Sequence, residues 1–190
     1  ERGKAMQAAV PKGEGAMIAI LGMNLSEVES EIKQLKSNKV CEIANDNSNE
    51  QVVVSGNKDI IDTLRTNLKL KKKRGIILPV SAPFHCSLMN EAAETMKKKI
   101  QNIDFKKPIP SIISNVTAQP ENKENSIKSL LVDQITSRVR WRESVNYMIG
   151  EKINEFIEIG PGRVLSGLIK KIDRTVNVKN FSYLTDITND

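Results

Sequence analysis

The chain contains a single histidine, His85, in the segment Ser81-Ala82-Pro83-Phe84-His85-Cys86. An imidazole changes charge near neutral pH, so it can take up and return a proton during a reaction. To act on an acyl group it needs a nucleophile. Cys86 is adjacent, but neighbouring residues on an extended segment point in opposite directions, so a Cys–His pair is not expected. Ser81 and Ser87 lie two residues to either side and would share the histidine's face. Neither sits on the strained strand-to-helix turn that exposes a nucleophilic serine, and no Gly-x-Ser-x-Gly elbow occurs in these 190 residues. His85 therefore reads as an acid–base group whose nucleophile the sequence does not supply.

Two further features could do chemistry. Arg2 stands near Gly3, Met6 and Gln7 on what reads as a helix. Its guanidinium could hold a carboxylate by a two-point fork, although periodicity alone does not separate it from a solvated charge. Gly160-Pro161-Gly162 turns a strand into a helix, and such a turn can bind phosphate on the helix amides. It lacks the spacing of a Walker loop or a dinucleotide fingerprint, so a tight turn is the preferred reading. The two cysteines, Cys41 and Cys86, have neither zinc-site nor disulfide-framework spacing. They suit a reducing compartment, and no metal is expected.

The elements that must carry these groups follow from the hydrophobic pattern. Residues 16–23 form an apolar run of buried-strand length. A capping box, with Ser26 as N-cap and Glu29 three residues on, opens a helix to about Ser37. Strands are expected over 40–44 and 51–55, separated by an Asn-rich turn or loop over 45–50. A helix over 58–68 and a strand over 74–80 complete a βαββαβ order, the ferredoxin-like one. Beyond His85 the pattern gives a helix over 89–103, a strand over 109–116, a polar loop over 118–125 and a helix from Ser126 to about Thr136. An amphipathic stretch from Trp141, a strand over 155–159, a helix over 163–172 and a short strand over 180–184 follow. The expected fold class is α/β, with residues 14–80 as a small ferredoxin-like subdomain inserted in a larger body formed by 1–13 and 81–190. His85 falls where a strand ends and a helix begins, where α/β folds gather functional groups.

Composition narrows the class. Hydrophobic residues at 39% and charged residues at 27% suit a folded domain, not a disordered chain. No apolar run approaches the ~20 residues of a membrane span. The net charge of +6 is concentrated over 69–74 and 97–99. Such a field would attract an acidic protein or a polyphosphate as well as nucleic acid. Aromatics are only 4% and do not interleave with the basic runs, which speaks against a stacking platform for single strands.

Taken together, the motifs resemble malonyl-CoA:acyl carrier protein transacylases. Arg2-Gly3-Lys4-Ala5-Met6-Gln7-Ala8-Ala9-Val10-Pro11 is similar to that family's arginine-bearing helix. Asn45-Asp46-Asn47-Ser48-Asn49-Glu50-Gln51-Val52-Val53-Val54-Ser55-Gly56 is similar to its Asn-rich loop and strand, with Asn49 where proline is frequent. Pro79-Val80-Ser81-Ala82-Pro83-Phe84-His85-Cys86, the segment from Gln134 to Trp141, and Glu158-Ile159-Gly160-Pro161-Gly162-Arg163-Val164-Leu165 follow in the family's order. The resemblance extends to about Ile172.

It implies an acyl transfer in two halves through a serine ester, within a parallel-sheet, hydrolase-like body. His85 would move the serine proton, and the Gln134 backbone carbonyl would orient the imidazole. Arg2 would pair with the malonyl carboxylate. Phe84 would crowd the malonyl α-carbon, and Asn47 would line the pocket. The implied partners are malonyl-CoA, as substrate, and acyl carrier protein. No cofactor, nucleic acid or membrane is expected, and the protein would be a cytoplasmic monomer serving fatty acid biosynthesis. The chain begins at Glu1 as though inside a helix already under way, so a fragment is expected. The family's serine, in a Gly-His-Ser-Leu-Gly element, would lie upstream, and the 190 residues alone should not catalyse. Two other readings stay open: an inactive shortened relative that binds acyl carrier protein, and a basic ferredoxin-like module for RNA or an acidic protein.

Overall fold

The computed structural model describes residues 1–183, 185 and 186. It opens with α1 (Arg2–Ala8), followed by β1 (Gly15–Leu21), α2 (Leu25–Gln34), β2 (Cys41–Ser48), β3 (Gln51–Asn57), α3 (Lys58–Leu70) and β4 (Arg74–Ile77). The four strands form one antiparallel sheet in the order β2-β3-β1-β4. Both faces of β1 are covered, which is why its sequence is apolar throughout and not alternating. Ile18 and Ile20 pack with Val52, Val54, Val28, Ile61, Leu64 and Leu68 beneath α2 and α3. Met17 and Ala19 pack on the opposite face with Ala44, Val53, Leu78 and Phe84.

A one-turn helix (Ser87–Met89) leads into α4 (Asn90–Gln101). The strands β5 (Ile112–Ile113) and β6 (Pro120–Glu121) precede α5 (Glu124–Asp133) and α6 (Trp141–Gly150). Next come β7 (Glu155–Ile159), α7 (Val164–Ile172) and β8 (Asn177–Phe181). β7 and β8 pair in parallel, closed by α7 through Val145, Phe156, Ile169 and Val176. A fourth cluster joins α1 to α4 through Met6, Val10, Met89, Ala92, Met96, Ile100 and Ile135. Among the described residues no helix is long and apolar enough to cross a membrane.

Several expectations from the sequence change. The cap of α2 is Asn24, not Ser26: the Asn24 side chain accepts from the Glu27 amide at 3.0 Å, and Glu27 accepts from the Asn24 amide at 2.7 Å. The same spacing recurs two residues earlier, and asparagine caps as well as serine. The Asn-rich stretch is not a loop over its whole length, because 45–48 continue β2 through two register shifts. These bulges let polar residues stay in the ladder while turning towards partners outside it. The strand expected over 74–80 ends at Ile77, and that over 109–116 shrinks to Ile112–Ile113, where Pro108 and Pro110 withhold donors. The polar loop over 118–125 instead holds β6 and the start of α5, whose N-cap is Lys123 and not Ser126. The last strand is Asn177–Phe181, and Leu184 of the expected strand lies outside the described residues.

Gly15 marks where the first sheet meets the His85 segment. A Cβ there would lie 2.3 Å from the Pro83 Cγ and 2.4 Å from its Cδ. The proline ring cannot swing away, so Gly15→Ala is expected to cost about 1–3 kcal/mol, as overpacking does. Urea unfolding would read this as a lowered midpoint; an unchanged midpoint would show that the approach is loose.

Candidate active site

His85 does not stand at a strand end. Seven residues of irregular chain separate it from Ile77, and its own φ is +60°. A left-handed conformation is strained for a non-glycine residue, though histidine adopts it more readily than most. Local bonds hold it there. The Phe84 amide donates to the Ala82 carbonyl at 3.1 Å, and the Met89 amide to the Cys86 carbonyl at 3.0 Å. The buried Cys86 thiol donates to the Pro83 carbonyl at 3.1 Å. This takes the sulfur away from the imidazole, and burial pushes the thiol's pKa up, so no Cys–His pair forms. Ser87 is also committed: its hydroxyl donates to Glu42 at 2.6 Å and its amide to the same carboxylate at 2.9 Å. Ser81 is exposed and makes no bond to His85.

The imidazole is tied to the stretch after α5 by the backbone of Gln134 and, more weakly, of Ser137. Its Nδ1 lies 2.8 Å from the Gln134 carbonyl, 49 residues on. A carbonyl oxygen only accepts, so Nδ1 carries the proton and Nε2 is left with its lone pair. Gln134 is the residue that ends α5, so the accepting carbonyl is one the helix leaves free. Burial lowers the His85 pKa and the nearby Arg2 charge adds to this, while bonding to the Gln134 and Ser137 backbones opposes it; the net direction is down. The imidazole is thus held neutral, as a base must be.

Arg2 opens α1, is exposed, and pairs with no carboxylate among the described residues. Its charge is felt at His85, so the two share one neighbourhood. Phe84 is half-buried, with its side chain packed against both the α1–α4 cluster and the Met17–Val53 cluster. The structure therefore gathers His85, Gln134, Arg2 and Phe84. Asn47 is half-buried on β2 with no hydrogen-bond partner among the described residues, and no contact ties it to His85.

The glycine turn before α7 is filled from within. Glu158 accepts from the Leu165 amide at 3.0 Å, the Ser166 amide at 2.8 Å and the Ser166 hydroxyl at 2.5 Å. Two of the amides that could have met a phosphate are thereby occupied, which favours the tight-turn reading. The basic residues Arg65, Lys69, Lys72, Lys73 and Arg74 surround a hollow of about 420 Å³ at the α3–β4 corner. Leu21 pairs with Arg74 there, whereas Gly15 is at the other end of β1 beside Pro83. Six residues of strand put that corner ~20 Å from the histidine segment.

Sequence reading missed the groups that hold the site. Asp46 is fully buried and takes a fork from Arg142, with Nε at 3.0 Å and Nη2 at 2.7 Å. The Asp46 amide donates to the Val139 carbonyl at 2.9 Å, and the Val139 amide to the Ala44 carbonyl at 2.8 Å. Leaving the buried Asp46 charge alone would cost on the order of 3–5 kcal/mol. With the partners 96 residues apart, no local spacing could have signalled the pair.

The sequence matches the acyl transferase domain family over residues 1–185. The chain belongs to that family. It is 41% identical over 189 residues to the malonyl CoA-acyl carrier protein transacylase of Staphylococcus aureus (strain MRSA252), covering 98% of this chain and 61% of that one. The acyl-carrier-protein-S-malonyltransferase of Bartonella henselae superposes with a TM-score of 0.94 at 39% identity, over 99% of this chain and 60% of that structure. A type II PKS acyl-carrier protein complex with its malonyl-transacylase gives a TM-score of 0.94 at 33% identity, over 99% of this chain and 61% of that one. The chain thus spans about three fifths of the length of the curated relatives it matches. Within this acyl transferase domain, the His85 Cε1 proton is expected to titrate with a midpoint on the acid side of 6.5. Base function falls as pH drops through that midpoint, because protonation removes the Nε2 lone pair. An NMR titration with its midpoint above 6.5 would contradict the buried, neutral imidazole.

Proposed function

We propose that this chain is part of an acyltransferase that moves a malonyl group from malonyl-CoA to the phosphopantetheine thiol of acyl carrier protein, through a serine ester, in fatty acid biosynthesis. The observation that carries the reading is the 2.8 Å bond from His85 Nδ1 to the Gln134 carbonyl, which leaves Nε2 as the working nitrogen. No hydroxyl of a described serine bonds to the ring, so the nucleophile is assigned to the family's Gly-His-Ser-Leu-Gly serine. His85 Nε2 takes the proton as that serine's oxygen attacks the thioester carbonyl. When the tetrahedral intermediate collapses, the carbon–sulfur bond breaks and His85 returns the proton to the departing thiolate. The second half runs in reverse, with the carrier thiol as attacker.

Arg2 receives the malonyl carboxylate; its exposure and lack of a carboxylate partner support this. Phe84 limits substitution at the α-carbon, and Asn47 lines the pocket. Residues 14–80 form the inserted ferredoxin-like subdomain, which the β2-β3-β1-β4 order supports, and 1–13 with 81–190 belong to the larger, hydrolase-like body. A cytoplasmic monomer completes the reading.

In a full-length protein that also carries the Gly-His-Ser-Leu-Gly serine, His85→Ala is expected to lower malonyl transfer by about 10²–10⁴-fold, the usual worth of a general acid–base. Near-normal turnover would remove His85 from the mechanism. Arg2→Ala is expected to lower kcat/KM for malonyl by about 10–100-fold relative to acetyl, since only malonyl offers a carboxylate to the fork. Equal losses for both acyl groups would refute the assignment. Intact mass after exposure to malonyl-CoA tests the ester directly.

A further inference from the structure

The two halves of the His85–Gln134 bond come from two segments far apart in the chain, which also meet in the cluster that holds Ala82, Met89 and Ile135. One is the irregular chain 78–86; the other is the stretch after α5. Both are fastened to the same strand, β2, by carboxylates four residues apart. Glu42 grips the amide and hydroxyl of Ser87, two residues beyond His85. Asp46 grips Arg142, eight residues beyond Gln134, while the Ala44 and Asp46 backbones bond both sides of Val139. Val139 and Asn45 form a parallel bridge at the same place. A bulge lies between Ile43 and Asn45, so the two carboxylates are set on a strand already bent at their midpoint.

From this geometry we propose that Glu42 and Asp46 are positioning residues that together fix the tautomer and orientation of His85. Neither touches the imidazole. Glu42 fixes where the ring starts, by holding the turn in which His85 keeps its left-handed φ of +60°. Asp46 fixes where the accepting carbonyl sits, by anchoring the segment that follows Gln134. If either grip is released, Nδ1 and the carbonyl separate, and the imidazole returns to the preference of free histidine, which carries its proton on Nε2. In that form the working nitrogen is a donor and cannot take a proton. The mechanistic role rests on the reading of His85 as acid–base, but the tautomer itself does not.

The measurement is the ¹⁵N spectrum of His85 in the intact protein, assigned by its loss in His85→Gln. The neutral wild-type ring is expected to be mainly the Nδ1–H form. Glu42→Gln and Asp46→Asn, folded by circular dichroism, are each expected to reverse the majority to Nε2–H. Arg142→Lys, which keeps the charge, should retain part of the wild-type ratio. Where Asp46→Asn does not fold, the Asp46→Asn/Arg142→Gln double variant, which leaves no buried charge unpaired, gives the same readout. A folded variant with the wild-type ratio, or a wild-type ring mainly in the Nε2–H form, overturns the proposal. Absence of a malonyl ester in a wild-type full-length protein that carries the Gly-His-Ser-Leu-Gly serine, with the tautomer shift intact, would instead refute the transfer reaction and leave the positioning role standing. In the transfer reaction the same variants should lower kcat with little change in KM, because they act on the proton carrier and not on substrate contacts.

Discussion

A hydrogen bond of 2.8 Å between His85 Nδ1 and the Gln134 carbonyl organises the chemistry of this chain. It does the work that a carboxylate does in a Ser-His-Asp arrangement, choosing the tautomer and the ring plane. A carbonyl differs from a carboxylate in carrying no full charge. It therefore stabilises the imidazolium less, and burial is left free to keep the ring neutral, which is the direction the environment drives it. Arg2 adds to this by repelling the protonated form. In the proposed reaction, the arginine assigned to an anionic substrate would thus also keep the imidazole unprotonated before that substrate arrives.

The bond demands strain. His85 holds a backbone conformation that side chains resist, and the surrounding contacts must over-determine it. They do so from three directions: the thiol of Cys86 on the Pro83 carbonyl, the Glu42 carboxylate on Ser87, and the Pro83 ring pressed against Gly15. The first two come from residues that the sequence offers as candidate chemistry, a cysteine and a serine beside a histidine. In the structure both are fasteners.

What could be read in advance divides along physical lines. The strands and helices of 15–77 were legible because apolar periodicity and turn residues are local signals. The order of elements followed, and His85, Arg2 and Gln134 came together through ordered motifs. Residues 45–48 were misread because Asn, Asp and Ser favour turns when only neighbours are counted. Here Asp46 is satisfied by Arg142 from far along the chain, and a buried ion pair outweighs local preference. Glu42 was invisible for the same reason, with its partner 45 residues away. The glycine turn was legible as a turn, and Glu158, already within the motif, turned out to fill it.

Phe84 packs into two hydrophobic clusters at once, one from the α1–α4 side and one from the antiparallel sheet. The ring that would screen acyl groups by size is thus also a wedge between two packed layers. A smaller side chain there would widen the site and, in the same stroke, open a void where the layers meet. If Phe84 screens acyl groups as proposed, substrate range and fold stability cannot be adjusted independently at this position. Any relaxation of selectivity through Phe84 has to be accompanied by bulk added elsewhere in the seam.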